Sequence, residues 1–150
     1  FGWPFYDGDD FHPPENVARR AAGVPLNDEN RAGWLAAMAA FVEEKSRAGE
    51  NGVIACSALK RAYRDVLVHG RDDVRFVYLK GSRDLIAERL VRRSDHFMPT
   101  SLLDSQFATL EEPTPDEHAI VADIDAPVDD IVGAIVARLS GRGAPQSPAA

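Results

Sequence analysis

Carboxylates and a histidine cluster near the start of the chain, in residues 7–12 (DGDDFH). A short aromatic run at residues 3–6 precedes them and predicts a strand, and two prolines follow that a strand does not easily absorb. The cluster therefore falls where a strand ends and a helix begins, and ligands bind at the carboxyl ends of strands in open α/β sheets. Asp7 and Asp9 can together hold a metal-bound water and accept a proton from a hydroxyl. The plainer alternative is a solvated turn.

Composition limits the classes of function that this cluster can serve. The 150 residues carry 24 acidic and 17 basic side chains, and the net charge of −7 argues against nucleic acid or an anionic membrane as the main partner. The single cysteine, Cys56, excludes an intramolecular disulfide and a cysteine-rich zinc site and is compatible with a reducing cytoplasm. No apolar run reaches membrane-spanning length. We expect one cytoplasmic domain over residues 1–140 and a disordered tail at 141–150.

Hydrophobic patterning predicts strands that alternate with helices. Apolar runs bounded by turn residues predict strands at 53–56, 74–79 and 119–124, the first of them buried on both faces. Helical spacing and capping residues predict helices at 14–22, 27–49, 59–70, 83–92 and 131–139. Trp34 and Met38 fall on the apolar face of the second helix and are expected in the core. This alternation is typical of an α/β fold with a parallel sheet flanked by helices.

Several motifs occur in an order that resembles the gluconate kinases, small P-loop phosphotransferases related to shikimate and adenylate kinases. The resemblance covers residues 3–139. It rests on DGDDFHP (7–13), GVPLND (23–28), WL (34–35), CSALKRAYRD (56–65), YLKG (78–81), HF (96–97), QFATLEEP (106–113) and DIDAP (123–127). It implies a three-layer α/β sandwich of the P-loop kinase type and ATP-dependent phosphorylation of D-gluconate to 6-phospho-D-gluconate with Mg²⁺, in a protein that forms a homodimer.

The resemblance also implies roles for the acidic cluster. Asp9 would hydrogen-bond the reactive hydroxyl of gluconate and act as its base. Asp7 would lie nearer Mg²⁺ and bind it through water. His12 would hydrogen-bond the polyol, with capping of the following helix as the alternative.

Further basic residues are candidates for the anionic groups of the two substrates. Ser57 and Lys60 follow a strand and open a helix, and Arg64 shares a helical face with Lys60, so these side chains can bind the gluconate carboxylate or a transferring phosphate. A solvated helix face is the alternative for the two basic residues. Arg31, in the first turn of the long helix, is a further candidate for the substrate side.

Residues 89–103 resemble the mobile lid of these kinases. Arg89, Arg92 and Arg93 would bring positive charge over the nucleotide phosphates as the lid closes. Arg93 would also stack on the adenine, with Pro127 on its other side. Alternatively, Arg89 and Arg93 pair with surface carboxylates at Glu88 or Asp95.

The sequence departs from the family in two places. No G-x-x-x-x-G-K-S/T motif occurs in the 150 residues, and Phe1 matches a point just after the family's first strand, P-loop and first helix. We therefore expect the chain to lack that unit, to leave its neighbouring strands incompletely paired, and to be poorly stable and inactive by itself. A non-catalytic remnant that binds a sugar acid, and a kinase for another small hydroxy acid, are the alternatives. The second departure is Arg20, where the family tends to have an apolar residue.

Overall fold

The computed structural model describes residues 1–93 and 100–141. Helices and strands alternate through most of this range. The strands are β1 (Phe5–Asp7), β2 (Val53–Ala55), β3 (Val77–Lys80) and β4 (Ile120–Asp123). The α-helices are α1 (Pro14–Ala21), α2 (Asp28–Arg47), α3 (Arg61–Val68), α4 (Arg83–Arg92), α5 (Thr100–Thr109) and α6 (Val128–Leu139), and short 3-10 helices span Gly8–Phe11 and Pro115–Glu117. The predicted α/β class is confirmed.

The strands form two parallel pairs. β1 lies beside β2 with Phe5 opposite Val53, and β3 lies beside β4 with Val77 opposite Ile120. Each pair is joined by a long connection that contains helices, as parallel pairing requires. Within the described residues, β2 and β3 each pair along one edge only. The strands are therefore parallel, as predicted, and among the described residues they form two separate two-stranded sheets.

The expectation that the strand at 53–56, now β2, is buried on both faces is wrong, and its neighbour β1 is also largely exposed. The side chains of Phe5 and Val53 are 66% and 48% exposed. These two residues are register partners, so their side chains lie on one face of the sheet, and no described element covers that face at this point. The apolar run predicted burial, and the prediction failed because a sequence pattern does not show which layer covers each face of a strand.

The core lies between α2 and α3. Trp34, Leu35 and Met38 of α2 pack against Tyr63 and Leu67 of α3. The predicted apolar stripe of the long helix is confirmed at these α2 positions. Five partly buried apolar residues pack around this cluster. They come from the first 3-10 helix, α2, β2 and the segments after β2 and before β3, and they are Phe11, Ala39, Ile54, Ala58 and Phe76.

Local capping fixes the ends of α2. The Asn27 side chain accepts a hydrogen bond from the Asn30 amide (2.8 Å), and the Asn30 side chain accepts one from the Asn27 amide (3.2 Å). Gly49 follows the helix with a φ of +67°, a conformation that glycine adopts without a Cβ penalty. The predicted start and end of this helix are confirmed, and α2 thereby holds Arg31 and Trp34 beneath the acidic cluster.

Candidate functional site

The acidic cluster is an ordered turn packed against the end of β2. Asp7 caps the 3-10 helix, its Oδ1 accepting a hydrogen bond from the Asp9 amide at 2.9 Å. A Cβ at Gly8 would lie 2.6 Å from the Ala55 carbonyl oxygen, so only glycine fits there. The Gly8 carbonyl accepts a hydrogen bond from Trp34 Nε1 at 2.7 Å. The turn is therefore joined directly to the core, unlike a freely solvated loop.

His12 is held in one orientation beside this turn. Its ring stacks on Trp34 with 4.4 Å between the ring centroids, and its side chain is only 2% exposed. Asn16 Nδ2 donates to the Asn30 carbonyl at 2.7 Å and lies 3.2 Å from His12 Nδ1. Because the carbonyl fixes that amide nitrogen as a donor, Nδ1 accepts and the ring proton resides on Nε2.

The protonation of His12 follows from its surroundings. Burial lowers the pKa of this histidine below its ordinary value of 6.5, and the nearby Arg20 guanidinium lowers it further. The neutral ring presents Nε2–H at 3.9 Å from Asp9 Oδ1. Pro13, and not His12, is the N-cap residue of α1. The ring is therefore suited to donating a hydrogen bond near the Asp9 carboxylate.

Arg20 is a site residue that the sequence did not reveal. Its Nη1 donates to Asp9 Oδ1 at 2.6 Å from the last turn of α1. The departure from the family at this position was visible in the sequence, but the partner was not, because it depends on how α1 lies over the turn. This pairing places a guanidinium beside the expected catalytic carboxylate.

A pocket next to the cluster brings several of the predicted residues together. It joins α1, the segment before α2, the first turn of α2, the end of β2 and α5. Its lining residues are His12, Arg20, Pro25, Leu26, Arg31, Ser57, Leu102, Ser105 and Gln106. The structure thus gathers the predicted residues His12, Arg31 and Ser57. The sequence did not predict that α5 lines this pocket, because no strong capping residue or hydrophobic periodicity marked that helix.

Arg31 and Lys60 belong to a polar network beside the pocket. Arg31 is buried, its Nη1 donates to Tyr63 Oη at 3.2 Å, and Tyr63 donates to Asp28 Oδ1. Lys60 Nζ donates to the same Asp28 oxygen at 2.9 Å. Hydrogen bonds from Tyr63 and Lys60 hold the pKa of Asp28 below its ordinary value, and the bond to Asp28 raises the pKa of Lys60. Arg31 also lines the pocket, while Lys60 is directed to Asp28 at the start of α2.

Arg64 lies away from the pocket. Its Nε donates to Glu117 Oε1 at 2.6 Å, and both side chains are more than nine-tenths buried. Its Nη1 donates to the carbonyls of Ala58 and Leu59. Arg64 was predicted to share a helical face with Lys60 and to bind an anionic group of a substrate. In the structure its guanidinium is instead paired with the buried carboxylate of Glu117, in the 3-10 helix before β4. Arg64 thus joins α3 to the 3-10 helix that precedes β4.

Glu117→Gln is expected to lower the free energy of unfolding by about 1–3 kcal/mol at pH 7, because the charged partner of a buried guanidinium is lost. Arg64 holds the pKa of Glu117 below its ordinary value of 4.5. The contribution of the Arg64–Glu117 pair to the free energy of unfolding is therefore complete above pH 4.5, and it is lost as the pH falls through the pKa of Glu117 in the folded protein. Urea unfolding at a series of pH values should show the two proteins converging in acid. If the difference in the free energy of unfolding between the two proteins stayed the same at every pH, the ionised Glu117 would not be its source.

Glu88→Gln is the matched control for this experiment. Glu88 accepts from Arg92 at 2.5 Å in an exposed i,i+4 pair. Exposed pairs of this kind contribute about 0–1 kcal/mol, so the control should unfold close to the unmodified protein at each pH.

The predicted nucleotide-side arginines separate in the structure. Arg89 Nη2 donates to the Ala126 carbonyl at 3.4 Å, which places it next to Pro127 at the end of β4. Arg92 is paired with Glu88, and Arg93 is the C-cap residue of α4. Residues 94–99 of the predicted lid, with the HF motif at 96–97, lie outside the described residues, as does the tail from 142 to 150.

The donor set around Asp7 allows a magnesium ion held mainly by water. Asp7 is exposed, and one of its oxygens caps the Asp9 amide. Among the described residues, no three His, Cys, Asp or Glu side chains converge as a metal cage would require. Mg²⁺ commonly keeps several waters and takes one or two carboxylates together with substrate phosphates, so Asp7 fits that pattern.

The described part of the chain contains no helix with the length and apolarity needed to cross a membrane. Such a helix needs about 20 consecutive, predominantly apolar residues.

Comparison with known proteins identifies the family. The chain matches no protein-family model. It is 43% identical to the thermoresistant gluconokinase of Escherichia coli over 88% of this chain and 76% of that protein. A sugar kinase from Janibacter superposes with a TM-score of 0.86 at 41% identity, over 96% of this chain and 85% of that one. A gluconokinase from Sinorhizobium meliloti superposes with a TM-score of 0.79 at 42% identity, over 93% and 80%. The chain belongs to the gluconokinase family.

Proposed function

We propose that this protein phosphorylates D-gluconate with ATP. The observation that carries the proposal is the pocket lined by Arg20, Arg31 and His12, in which the first and last of these residues also lie next to the Asp9 carboxylate. Relatives that cover most of this chain are named gluconokinase, which supports the same substrate.

The pocket chemistry suits a polyhydroxylated acid. Guanidinium groups bind carboxylates through charge-assisted hydrogen bonds, and Arg31 supplies one at the pocket wall. His12, Ser57 and Gln106 supply neutral donors and acceptors for hydroxyl groups. Lys60 is a further candidate for the acid group if it leaves Asp28. Arg64, in its buried pair, is better suited to a structural role.

In the proposed reaction, Asp9 accepts the proton of the acceptor hydroxyl. The hydroxyl oxygen forms a bond to the γ-phosphorus while the bond from that phosphorus to the bridging oxygen breaks, and the electron pair leaves with ADP. Asp9 is suited to this role because its carboxylate is 38% exposed beside the pocket and its backbone is fixed by Asp7.

The nucleotide side of the proposal rests on fewer contacts. Arg89 would reach the nucleotide near Pro127, and Arg92 and Arg93 would contribute positive charge at the phosphates. Bound Mg²⁺ would supply charge neutralisation at the phosphates, with Asp7 holding it through water. A homodimer, which the family resemblance implies, and a cytoplasmic location, with which the single cysteine is compatible, are part of the same proposal.

A turnover assay with the intact protein tests the function. ATP, Mg²⁺ and D-gluconate should give ADP and 6-phosphogluconate in equal amounts, measured by coupled absorbance and by ³¹P NMR. D-glucitol, which has the same hydroxyl chain without the acid, should turn over at least tenfold more slowly because the guanidinium contact is lost.

Two outcomes would contradict the proposal. Faster turnover of a different hydroxy acid would assign another substrate to the same fold. Saturable gluconate binding by the intact protein without any ADP formation would identify a non-catalytic binding protein.

A further inference from the structure

We propose that Arg20 is a positioning residue that aligns Asp9 for proton abstraction. The inference deepens the proposed function and rests on it. Arg20 lines the same pocket as His12 and Arg31, and its guanidinium meets Asp9 at one carboxylate oxygen only. That contact fixes which oxygen of Asp9 remains available to an acceptor hydroxyl.

The backbone of Asp9 is held from both sides. Its amide donates to Asp7 Oδ1 at 2.9 Å, and its carbonyl accepts from the His12 amide at 3.1 Å. These bonds fix the position of the Asp9 Cα but leave the rotation of its carboxylate undetermined. The side chain is partly exposed, so packing alone does not set that rotation.

The Arg20 contact supplies the missing constraint. Nη1 donates to Asp9 Oδ1 at 2.6 Å, within the range of a charge-assisted hydrogen bond. His12 Nε2 lies 3.9 Å from the same oxygen. In the described part of the chain, the side-chain donors of Arg20 and His12 both lie nearest Oδ1, which leaves Oδ2 to accept a proton.

The burial of the pair separates it from ordinary surface ion pairs. The side chains of Arg20 and Asp9 are 21% and 38% exposed, whereas those of Arg92 and Glu88 are 74% and 56% exposed. A guanidinium in a partly enclosed pocket loses less of its interaction to solvent screening. Arg20 also carries five N–H donors on a rigid plane, which restricts the orientation of a carboxylate more than a lysine does.

A double-mutant cycle in the intact protein tests the alignment. Arg20→Met should lower kcat about tenfold to a hundredfold with the KM for gluconate changed less than about threefold, since the base is misplaced while the binding groups remain. In an Asp9→Asn background the same substitution should lower kcat less than about threefold, because residues that act as a unit are not additive. Arg20→Lys should recover part of the loss.

Arg19→Met is the matched control, because Arg19 precedes Arg20 on α1, is exposed and is not among the residues that line the pocket. It removes the same charge and should leave kcat and KM unchanged. If Arg20→Met does not fold, Arg20→Lys replaces it in the double-mutant cycle. The same pattern of kcat values is then expected, with a smaller loss.

Two results would overturn the alignment. An equal loss of kcat in both backgrounds would show that Arg20 acts independently of Asp9, and a change in KM alone would make it a substrate-binding residue. A crystal structure of Arg20→Met gives a readout that needs no substrate, and an unchanged Asp9 carboxylate there would contradict the proposal. Absence of gluconate turnover by the unmodified protein would instead count against the proposed function, leaving that structure to decide the role of Arg20.

Discussion

Asp9→Asn is expected to lower kcat for gluconate phosphorylation by about 10²–10⁴-fold, the usual contribution of a positioned general base. Asparagine has nearly the same shape and can still accept the Arg20 hydrogen bond through Oδ1, but it cannot take up the hydroxyl proton. Steady-state kinetics measure the loss, and calorimetric titration with gluconate should show a Kd within about threefold of the unmodified protein.

Asp10→Asn is the matched control for this prediction. Asp10 lies next to Asp9 in the same 3-10 helix and is exposed. Its amide variant should keep kcat within about twofold. If Asp9→Asn lowers kcat less than tenfold, Asp9 is not the base. If Asp10→Asn lowers kcat as much as Asp9→Asn does, the cluster acts through its total charge and neither carboxylate is the base.

Trp34→Ala is expected to lower the free energy of unfolding by about 3–5 kcal/mol, the usual cost of replacing a buried tryptophan with alanine. Trp34 has no exposed surface, and its Nε1–H satisfies the Gly8 carbonyl. The substitution opens a cavity between α2 and α3 and removes the ring on which His12 stacks. Urea unfolding followed by circular dichroism measures the change.

Trp34→Phe separates packing from the hydrogen bond. Phenylalanine keeps an aromatic ring near His12 but leaves the Gly8 carbonyl without its donor, so we expect an intermediate loss of stability. Trp3→Ala is the control at an exposed tryptophan and should cost less than about 1 kcal/mol. Equal losses at Trp3 and Trp34 would contradict the position of the core between α2 and α3.

The sequence predicted best those features that depend on neighbouring residues. The N-cap of α2 at Asn27 and the bounds of α4 were predicted because capping side chains act within three residues, and both are confirmed. The stripe of Trp34, Leu35 and Met38 was readable from helical spacing and is confirmed in the core. Exposure of Phe5 and Val53 was not predictable, since it depends on what covers one face of the sheet.

The sequence by itself determined that Asp7, Gly8 and Asp9 lie where a strand ends and that His12 stands four residues before Asn16. Only the tertiary structure decided which guanidinium meets which carboxylate. It brings Arg20 to Asp9 across 11 residues and Arg64 to Glu117 across 53. A helical arginine can reach in several directions at similar cost, and the orientation of α1 and α3 over the turns selects one of them. For α3 that selection follows from the packing of Tyr63 against α2, and for α1 from the hydrogen bond that Asn16 donates to the Asn30 carbonyl; no local pattern encodes either contact.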